Sequence, residues 1–583
     1  MLRTNTCGEL RRRDEGREVV LSGWVDRSRD LGQLFFISLR DRYGITQCVR
    51  EIEDEGELTT KLKSLTNESV IQVFGKVIPR SEKDINHSQP TGEIEVAIRD
   101  ISVLNIAAEL PFQVRDSDKA TQDNRLKYRY IDLRRAKMQH NLQIRHRTIQ
   151  AVRDVFNEFG FLEIETPLLI RSTPEGARDF VVPSRLNPGR FYALPQSPQL
   201  YKQMLMVSGC DRYFQFASAF RDEDLRADRV PVHTQIDMEM SFVGEKDVFE
   251  VVEAYVHRVF KEIKNIDLKR PFPIMNYATA IEDYGSDKPD LRFGMKLRTV
   301  TQLARRTGFK VFEDAPCVRC VVAPDGDFFS RKKIDDLTKL ASIYGAKGLA
   351  FVKIGKSELT GGAAKFFLEL RQELLSETGA KEGDIVFFVA DKYQTCSTAL
   401  GQVRLAIARE LSLIDKNSYE FSWINDFPLF EWSEERNAYD AMHHLFTKPR
   451  EEDIPLLDSD PGRVRGQLYD LVLNGIELLS GSIRINNPLM QEKVLDIVKM
   501  PKEEAMSKFG FLMDSFRYGA PPHGGSAMGL DRLVSVLCDE ESIREVIAYP
   551  CNNAGIFPLD GSPQPITDLQ LRELQLKIDL RQK

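Results

Sequence analysis

The stretch from Phe220 to Glu239, FRDEDLRADRVPVHTQIDME, constrains the fold of this chain more than any other segment. Both of its ends alternate as strands do, whereas its middle is charged and interrupted by a proline. This pattern predicts two antiparallel strands joined by a long mobile loop. Arg221 and Glu223 are two residues apart, so we expect them to share one face of their strand. An arginine fixed there suits a phosphate or a carboxylate, because its planar guanidinium donates two parallel hydrogen bonds.

An isolated arginine and glutamate at this spacing would more simply indicate a charged surface hairpin with cross-strand ion pairs. Two other segments favour a ligand site instead. Residues 524–532, GGSAMGLDR, bring glycines close together, and glycines let a backbone approach a flat ligand. Apolar residues at helical spacing over 530–537 place Arg532 in the first turns of a helix, where its guanidinium can stack on a purine. Residues 160–167, GFLEIETP, follow an amphipathic helix predicted over 139–159.

The composition excludes several classes of protein. A chain of 583 residues is expected to form several domains, and 42% hydrophobic with 29% charged residues is typical of soluble globular proteins. No apolar run is long enough to span a membrane, and the N-terminus, MLRTNTCGELRRR, lacks the apolar core of a signal peptide. The eight scattered cysteines suit a reducing compartment, so a cytoplasmic protein without a membrane partner is predicted.

Two further features limit the ligands. Cys317 and Cys320 form a CxxC pair, but a structural zinc site needs two more ligands and no second pair is visible, so no zinc is predicted. The net charge of −7 gives no support for nucleic-acid binding. Any such binding must therefore come from local basic patches.

Residues 1–106 read as strands separated by glycine turns. Strands are predicted over 19–27, 34–40, 45–50, 70–78 and 94–104. Five strands in this length predict a small barrel of the OB-fold type. The first fifty residues contain ten arginines and no lysine, and arginines interleaved with aromatics on a barrel face suit unstacked bases. The alternative is that the aromatics only fill the core, but Phe35 and Phe36 are adjacent, so one of them is expected to point outward.

These segments resemble motifs 1, 2 and 3 of the class II aminoacyl-tRNA synthetases, in the right order. Motif 1 would end in Pro167, motif 2 would carry Arg221 and Glu223, and motif 3 would end in Arg532. Further runs narrow the resemblance: LKYRYIDLRR (126–135), TPEGARDF (173–180), FYALPQSPQLYKQ (191–203), YGSDKPDLR (284–292) and MHH (442–444). Over essentially its whole length the chain is similar to the bacterial-type aspartyl-tRNA synthetases.

The resemblance implies an α+β multidomain fold. It comprises an N-terminal OB-fold β-barrel that binds the anticodon, a class II antiparallel-sheet catalytic core, and an inserted α+β domain of the GAD type. A change to alternating strands and helices, for example at 348–354 and 385–390, marks the insertion in the sequence itself. The expected boundaries are 1–106 for the barrel, 107–137 for a hinge, 138–280 and 416–566 for the core, 281–415 for the insertion and 567–583 for a C-terminal helical extension.

The implied reaction is that of an aspartate–tRNA ligase, with ATP, L-aspartate and tRNA(Asp) as substrates. Aspartate attacks the α-phosphorus of ATP, giving aspartyl-adenylate and pyrophosphate, and the terminal ribose hydroxyl of tRNA(Asp) then takes the aspartyl group. Such chemistry needs positioning and charge neutralisation more than a covalent nucleophile. Mg²⁺ is the expected cofactor, and a homodimer is expected through the segment that ends in Pro167.

Residues that match the family's motifs are expected to form its sites. The catalytic residues would be Arg221, Glu223 and Arg532. The ATP-binding residues would be Arg221, Asp222, Glu223, Arg229, His233, Glu477, Gly529, Leu530, Asp531 and Arg532. The aspartate-binding residues would be Glu175, Ser197, Gln199, Lys202, Arg221, Gln235, Asp237, His443, His444 and Arg484. The anticodon-binding residues would be Arg29, Leu31, Phe36, Gln47 and Glu95, and the metal ligands would be Asp470 and Glu477.

The two carboxylates of the expected metal site lie seven residues apart. Asp470 sits in a helical pattern that Asn474 and Gly475 end, and Glu477 starts a predicted strand. Carboxylates that converge in this way can bind Mg²⁺ while water and phosphate oxygens complete its shell.

Arg484, on a predicted strand, and Lys202 would supply cations for the side chain of aspartate. An asparagine would leave this buried charge unpaired, which penalises it strongly. The same cations argue against an asparaginyl- or lysyl-tRNA synthetase. Two further alternatives are a tRNA-binding paralogue without catalysis, against which the intact motif residues argue, and a free amino-acid ligase, which would be expected to lack the anticodon barrel.

Two positions qualify the resemblance. His233 stands where the family usually has a phenylalanine that stacks on adenine. Because histidine titrates near neutrality, we hypothesise that ATP affinity depends on pH over about pH 6–8. Leu31 resembles the form restricted to tRNA(Asp), whereas some bacterial members also charge tRNA(Asn). A non-discriminating aspartate–tRNA(Asp/Asn) ligase is therefore the alternative function.

Overall fold

The computed structural model describes residues 2–52, 56–173 and 177–580. The chain forms two compact units, residues 1–143 with 544–564 and residues 144–543 with 565–583. Among the described residues, no helix combines the length and apolarity that a membrane crossing requires.

The first unit is built around a closed five-stranded barrel. Its elements are β1 (Glu18–Asp30), β2 (Leu34–Asp41), β3 (Gly44–Glu51), α1 (Glu57–Lys63), β4 (Val70–Pro79) and β5 (Ile94–Asn105). The strand order is β1-β2-β3-β5-β4, with β3 and β5 parallel and the other neighbours antiparallel. The OB-fold barrel predicted from five short strands is confirmed.

Alternation along β2 decides which aromatic ring faces outward. Phe35 is 3% exposed and lies in the apolar core of the barrel, whereas Phe36 is only partly buried. The prediction that one ring points inward and the other outward is therefore confirmed. The outer face of the barrel keeps an aromatic ring among its arginines.

Three helices follow the barrel in sequence. They are α2 (Gln122–Lys127), α3 (Arg129–Asp132) and α4 (Ala136–Glu158). The last of these confirms the helix predicted over 139–159. Gly160 ends it with a φ of +74°, a left-handed conformation that glycine adopts without strain.

Residues 162–284 supply part of a large sheet and its covering helices. The elements are β6 (Leu162–Glu163), β7 (Val181–Pro183), β8 (Phe191–Ala193), α5 (Gln199–Val207), β9 (Arg212–Phe220), β10 (Val232–Ser241), α6 (Glu245–Lys264), β11 (Ile274–Asn276) and α7 (Tyr277–Tyr284). Strands β9 and β10 are antiparallel, as the Phe220–Glu239 stretch predicts, and the loop 221–231 joins them.

Residues 297–410 form a separate sheet with its own helices. The elements are β12 (Leu297–Thr299), α8 (Thr301–Arg305), α9 (Lys310–Glu313), β13 (Cys317–Ala323), α10 (Arg331–Ile343), β14 (Ala350–Ile354), β15 (Leu359–Thr360), α11 (Arg371–Thr378), β16 (Ile385–Asp391) and α12 (Tyr393–Glu410). The order β12-β13-β16-β14-β15 is antiparallel throughout. The strands predicted at 348–354 and 385–390 are present as β14 and β16.

The two cysteines of the CxxC pair lie on opposite faces of strand β13. Cys317 packs in one apolar cluster with Phe387, and Cys320 packs in another with Phe388. Side chains three residues apart on a strand point to opposite sides of the sheet. These two thiols therefore cannot ligate the same metal ion.

Residues 421–574 complete the large sheet. The elements are β17 (Phe421–Asn425), β18 (Phe430–Ser433), β19 (Ala438–Ala441), α13 (Leu456–Ser459), β20 (Leu468–Leu473), β21 (Ile476–Ile483), α14 (Pro488–Ile497), α15 (Lys502–Phe516), β22 (His523–Gly529), α16 (Leu530–Leu537) and α17 (Asp568–Leu574). The eight-stranded order is β11-β17-β20-β21-β22-β10-β9-β6. The strands from β17 to β9 are antiparallel, and only the outer pairs β11–β17 and β6–β9 are parallel, so the predicted antiparallel core is confirmed.

Glycines at the centre of this sheet allow an unusually close approach of neighbouring chains. A Cβ on Gly525 would lie 2.1 Å from the carbonyl oxygen of Met238 and 2.3 Å from a carboxylate oxygen of Glu239. A Cβ on Gly481 would lie 2.4 Å from the carbonyl oxygen of Gly525. Because real Cβ contacts are never this short, only glycine fits at these two positions.

One local prediction at the β9–β10 loop is wrong. Strand β9 ends at Phe220, so Arg221 and Glu223 belong to the loop and do not share a strand face. The backbone N–H of Arg221 still donates to the carbonyl of Pro231 at 2.9 Å, but that of Asp222 donates to Arg178 at 3.1 Å. The chain therefore leaves the sheet one residue after β9, and two-residue alternation no longer applies.

The helix predicted around Asp470 is also wrong, because this residue lies on strand β20. The strand is buried on both faces, so its apolar residues, interrupted only by Asp470, do not alternate with exposed polar ones and look like those of a buried helix. Asn474 and Gly475, taken as a helix end, form the two-residue turn between β20 and β21, with φ of 53° and 83°. Asn-Gly is the pair that favours positive φ at both turn positions.

The C-terminal helix is shorter than predicted over 567–583. It begins at the predicted cap, where Thr567 and Gln570 form a reciprocal capping box. It ends at Leu574, since Gln575 adopts a left-handed conformation with φ of 55°. Residues 581–583 lie outside the described residues.

We expect Gly525→Ala to destabilise the protein by at least about 1–3 kcal/mol, because the new methyl group meets backbone rather than a flexible side chain. Thermal unfolding measures this loss. Gly529→Ala, on the same strand, is the matched control, since its Cβ would meet only Arg532 Cβ at an ordinary 3.5 Å. Equal melting temperatures for the two variants would contradict the close packing described above.

Candidate active site

A cavity of about 560 Å³ lies in the second unit, lined by residues of loop 221–231, the β20–β21 hairpin and the β22–α16 junction. Most residues predicted from the family motifs line it. They are Ser197, Gln199, Lys202, Arg221, Glu223, Arg229, His233, Gln235, Asp237, His443, His444, Glu477, Arg484, Gly529, Asp531 and Arg532.

Three predicted residues that the structure describes are not part of this lining, and a fourth cannot be placed. Asp222 lies in the loop 221–231, and its backbone pairs with that of Arg178. Leu530 is fully buried in apolar packing at the start of α16. Asp470 is buried on β20 next to the cavity, and Glu175 lies outside the described residues.

One end of the cavity is formed by a buried network of two cations and two carboxylates. Arg484 donates from Nε to Glu239 Oε1 at 2.9 Å and from Nη2 to Glu239 Oε2 at 3.2 Å. Lys202 Nζ lies 2.8 Å from Asp237 Oδ2 and 3.2 Å from Glu239 Oε2. The four side chains are at most 5% exposed. A buried charge needs this degree of pairing, because an isolated one would be too costly to desolvate.

Burial and pairing compete in setting the pKa values of the two acids. Burial disfavours ionisation of Glu239, but Arg484 and Lys202 outweigh it and lower the pKa of Glu239 to about 2. For Asp237 burial dominates over the attraction of Lys202 and raises the pKa to about 6. Glu239 is thus a fixed anion, whereas Asp237 is the more easily neutralised member of the network.

Several buried polar atoms around the network have no hydrogen-bond partner. They include Asp237 Oδ1, Gln235 Oε1 and Gln199 Nε2. All three residues line the cavity, so two acceptors and one donor are available to a polar ligand there. An ammonium group, with three N–H donors, is the kind of ligand that the two acceptors suit.

The paired histidines of the MHH run differ in their surroundings. His444 accepts a hydrogen bond at Nδ1 from the backbone N–H of Phe446 at 3.2 Å, so its proton resides on Nε2. Burial, together with Arg484 and Lys202, lowers the pKa of His444 to about 3. His444 is therefore a neutral donor. His443 lies with its Nδ1 3.5 Å from the hydroxyl of Ser480.

The other end of the cavity is rich in arginine. Arg532, in the first turn of α16, donates from Nη1 to the carbonyl of Glu477 and lies 3.4 Å from Asp228. Arg229 and Glu223, on the β9–β10 loop, form a longer and more exposed pair at 3.5 Å. Guanidinium groups in this arrangement suit the phosphates and the base of a nucleotide.

The hypothesis that His233 titrates between about pH 6 and 8 is not supported by its environment. Burial and the nearby Arg221 and Arg532 lower the pKa of His233 to about 4. The ring is therefore neutral at physiological pH. A neutral imidazole can face a purine without adding charge to this arginine-rich end.

Asp470 and Glu477, the predicted metal ligands, are the two carboxylates here that could hold a hard cation. Asp470 Oδ1 is buried and has no hydrogen-bond partner. Burial and the neighbouring Glu477 raise the pKa of Asp470 well above its usual range, as expected for two carboxylates that share a site. Among the described residues no group of three or more His, Cys, Asp or Glu side chains could hold a metal. The pair therefore fits Mg²⁺ that takes its other ligands from phosphate and water, as this ion commonly does.

Two side chains that organise the site have no functional role in the sequence analysis. Glu239 fixes both Arg484 and Lys202, and the alternation Gln235, Asp237, Glu239 along β10 was the available signal. Arg145 of α4 pairs with Asp531 and donates to Thr234 Oγ1 at 3.0 Å. Nothing in the local pattern of α4 distinguishes Arg145 from its other surface arginines.

A second concave surface lies on the barrel of the first unit. This groove has a volume of about 1020 Å³, and the five residues predicted to read the anticodon line it: Arg29, Leu31, Phe36, Gln47 and Glu95. Gln47 Nε2 donates to Glu95 Oε2 at 2.8 Å, which orients both side chains. The lining also contains Arg27, Arg50 and Arg80, and the acids Asp26, Glu51 and Asp84, so its formal charges balance. An aromatic ring with donors and acceptors around it suits the stacking and the edges of unstacked bases.

We expect His233 to remain neutral from about pH 5.5 to 8, because its pKa lies near 4. Nuclear magnetic resonance of protein labelled only in histidine rings measures this directly. The His233→Phe variant assigns the resonance by removing it. A His233 signal that shifts with a midpoint near pH 6.5 would show that the ring is more exposed than the structure indicates.

Comparisons with known proteins show which family the chain belongs to. Residues 121–553 match the family model of the class II tRNA synthetases (D, K and N), and residues 19–104 match that of the OB-fold nucleic acid binding domain. The aspartate–tRNA(Asp/Asn) ligase of Treponema denticola is 49% identical over 99% of both chains. The aspartate–tRNA ligase of Ruminiclostridium cellulolyticum is 48% identical over 99% of this chain and 98% of its own.

Solved structures share the fold at low sequence identity. The asparaginyl-tRNA synthetase of Pyrococcus horikoshii, complexed with asparaginyl-adenylate, has a TM-score of 0.59 at 18% identity, over 94% of this chain and 98% of that one. The aspartyl-tRNA synthetase of Entamoeba histolytica has a TM-score of 0.56 at 19% identity, over 92% and 89%. The family match over most of the chain and the full-length relatives together lead to one conclusion: the chain belongs to the class II tRNA synthetases and, within them, to the aspartate–tRNA ligase family.

Proposed function

We propose that this chain activates L-aspartate with ATP and transfers the aspartyl group to the 3′ end of tRNA(Asp). The observation that carries this proposal is the buried Arg484–Glu239 pair beside Lys202 and Asp237. It provides buried, oriented cations in the lining of a cavity that also carries Arg221, Arg229 and Arg532.

Arg484 would bind the side-chain carboxylate of aspartate. Glu239 occupies its Nε and one Nη2 donor, and Ser482 Oγ accepts from Nη1 at 2.7 Å, so the guanidinium is held in one orientation. A carboxylate completes this charge pattern, whereas the neutral amide of asparagine would bring N–H donors toward a cation. Unpaired buried donors cost about 1–3 kcal/mol each, which favours aspartate.

The α-ammonium of aspartate would be bound by Asp237, Gln235 and Gln199. The partnerless atoms on these three side chains support this role. Glu175 and Ser197 would complete the subsite, and His443 and neutral His444 would line the side-chain pocket. In this arrangement the α-carboxylate of aspartate, which is the nucleophile, would face Arg221.

Adenylate formation would then be an in-line displacement. An α-carboxylate oxygen of aspartate forms a bond to the α-phosphorus, the bond from that phosphorus to the bridging oxygen breaks, and pyrophosphate leaves with the electron pair. Arg221 would neutralise charge on the α-phosphate in the transition state, and Arg229 would bind the γ-phosphate. Catalysis through positioning and charge requires no covalent enzyme intermediate.

The remaining ATP contacts would come from both ends of the cavity. Arg532 and His233 would enclose the adenine, Glu223 would contact its amino group, and the backbone of Gly529 to Asp531 would support it. Asp470 and Glu477 would hold Mg²⁺, which supplies charge neutralisation at the phosphates when bound. The orphaned Asp470 Oδ1 supports this assignment.

The barrel groove would read the anticodon of tRNA(Asp). Phe36 would stack on a base, and Arg29, Gln47 and Glu95 would contact base edges. Leu31 is 67% exposed at the groove, and we propose that it restricts charging to tRNA(Asp). Charging of tRNA(Asn) as well is the second candidate, because relatives of nearly equal identity carry both names.

The chain would act as a homodimer in the cytoplasm. Leu162, Leu168 and Leu169, around the segment that ends motif 1, are 56%, 49% and 51% exposed. Exposed apolar side chains in one segment are typical of an interface. All eight cysteines are free, which suits a reducing compartment.

Exchange of pyrophosphate into ATP should occur with aspartate, in the absence of tRNA, and not with asparagine or lysine. The assay reports adenylate formation alone. Charging of purified tRNA(Asp) and tRNA(Asn) then distinguishes the two candidate specificities. Absence of exchange with all three amino acids would refute the proposed activity.

Arg484→Gln should lower kcat/KM for aspartate by at least about 30-fold, since truncating one partner of a buried charge pair costs about 2 kcal/mol or more. The KM for ATP should change little, because Arg484 is held by Glu239 and Ser482, whereas Arg532 contacts a different set of groups, the carbonyl of Glu477 and Asp228. Arg450→Gln is the matched control. This arginine also pairs with two acids, Glu245 and Asp426, but it does not line the cavity. A similar loss in the control would trace the effect to folding.

A further inference from the structure

Among the described residues that line the cavity, Lys288 is a cation to which the proposed chemistry gives no role. It lies between α7 and β12, at the border of the inserted sheet. Its Nζ is 3.7 Å from Glu477 Oε2 and 4.0 Å from Asp287 Oδ2, and its side chain is 45% exposed. The ammonium group of Lys288 thus approaches Glu477, one of the two predicted metal ligands, from a segment outside motifs 1, 2 and 3.

These distances describe a loose ion pair rather than a hydrogen bond, which would need about 2.7–3.2 Å. Half-exposed pairs of this kind contribute little, about 0–1 kcal/mol. Lys288 can therefore leave Glu477 at small cost when a stronger acceptor arrives. A polyphosphate is such an acceptor, and lysine binds phosphate well as a point charge.

The backbone that carries Lys288 is fixed from the side of the inserted sheet. Arg404 of α12 is 1% exposed and donates from Nη2 to the carbonyls of Asp290, Phe293 and Gly294 at 3.0, 2.9 and 2.8 Å. Its guanidinium also lies 4.0 Å from the ring centroid of Phe293. One buried side chain thereby holds the segment that follows Lys288 in a single conformation.

The same segment is fixed on the side of the cavity. A Cβ on Gly475 would lie 3.3 Å from Asp290 Cβ, so the β20–β21 turn packs directly against the backbone two residues from Lys288. The carboxylate of Asp290 is in turn held by Arg292, at 3.0 and 2.7 Å. Glu477 is two residues beyond the turn. The position of Lys288 relative to the carboxylate pair is therefore set by packing on both sides.

We propose that Lys288 binds the polyphosphate of ATP and the departing pyrophosphate, and that Arg404 is a positioning residue for it. This inference rests on the proposed function. It connects the inserted domain to the active site, because helix α12 holds in place the segment that follows Lys288. The cation would act on the leaving group, whereas Arg221 acts on the α-phosphate.

Calorimetric titration with ATP, without aspartate and with or without Mg²⁺, tests the binding role apart from catalysis. We expect Lys288→Ala to weaken ATP binding by about 10-fold, the scale of a single charge-assisted contact. Lys288→Arg should restore most of the affinity. Lys296→Ala is the matched control, because Lys296 belongs to the same stretch of chain but pairs with Asp283 at 2.7 Å and does not line the cavity.

Pyrophosphate exchange provides a second readout. Lys288→Ala should raise KM for both ATP and pyrophosphate and leave KM for aspartate and the melting temperature unchanged. Arg404→Lys should shift the same two constants in the same direction, and combining it with Lys288→Ala should add little further loss. Such non-additivity is the signature of residues that act through one contact.

Unchanged affinity for ATP and pyrophosphate in Lys288→Ala would overturn the inference. A raised KM for tRNA alone would also overturn it, since Lys288 would then contact the acceptor end. If wild-type protein fails to exchange pyrophosphate but Lys288→Ala still weakens ATP binding, the failure belongs to the proposed function. If the double variant lost affinity for ATP and pyrophosphate by the sum of the two single losses, the positioning role of Arg404 would be refuted. The proposed phosphate contact of Lys288 would still stand.

Discussion

The buried network of Lys202, Asp237, Glu239 and Arg484 is the interaction on which the rest of the second unit depends. Its members come from α5, β10 and the end of β21, which are distant in sequence. Removing one partner of a buried ion pair typically costs about 3–5 kcal/mol. The network therefore forms only when these three elements are correctly placed relative to one another. The same placement builds the sheet and the pocket.

The glycine strand β22 serves the same end by a different route. Gly525 pairs with Glu239 across the sheet, and its missing side chain leaves the space that the Glu239 carboxylate occupies. The closely spaced glycines of β22, which predict close approach to a ligand, are thus also required for the close approach of a buried carboxylate. Packing and recognition place the same requirement on this residue.

Much of this organisation was predictable from sequence because it rests on local patterns. The barrel followed from five alternating strands, and the β9–β10 pair followed from the Phe220–Glu239 stretch. Asp470 was assigned to a helix because a strand buried on both faces loses its two-residue alternation. Glu239 and Arg145 received no functional role, since their partners lie on elements whose contacts no local pattern encodes. The placement of the site residues came from the family motifs, and their individual roles stay predictions.

The two ends of the cavity differ in how firmly their side chains are held. Arg484 and Lys202 are 5% and 2% exposed and are fixed by ion pairs, whereas Arg229 is 44% exposed on a loop. Ordering a long exposed side chain costs conformational entropy, up to about 2 kcal/mol, that a buried one has already lost on folding. In the proposed function, the side chains that bind the amino acid would therefore already be held by the fold, whereas those that bind the nucleotide would become ordered only on binding. An amino acid of the wrong charge would meet a rigid surface that cannot adapt to it, whereas the more exposed arginines would close around the phosphates.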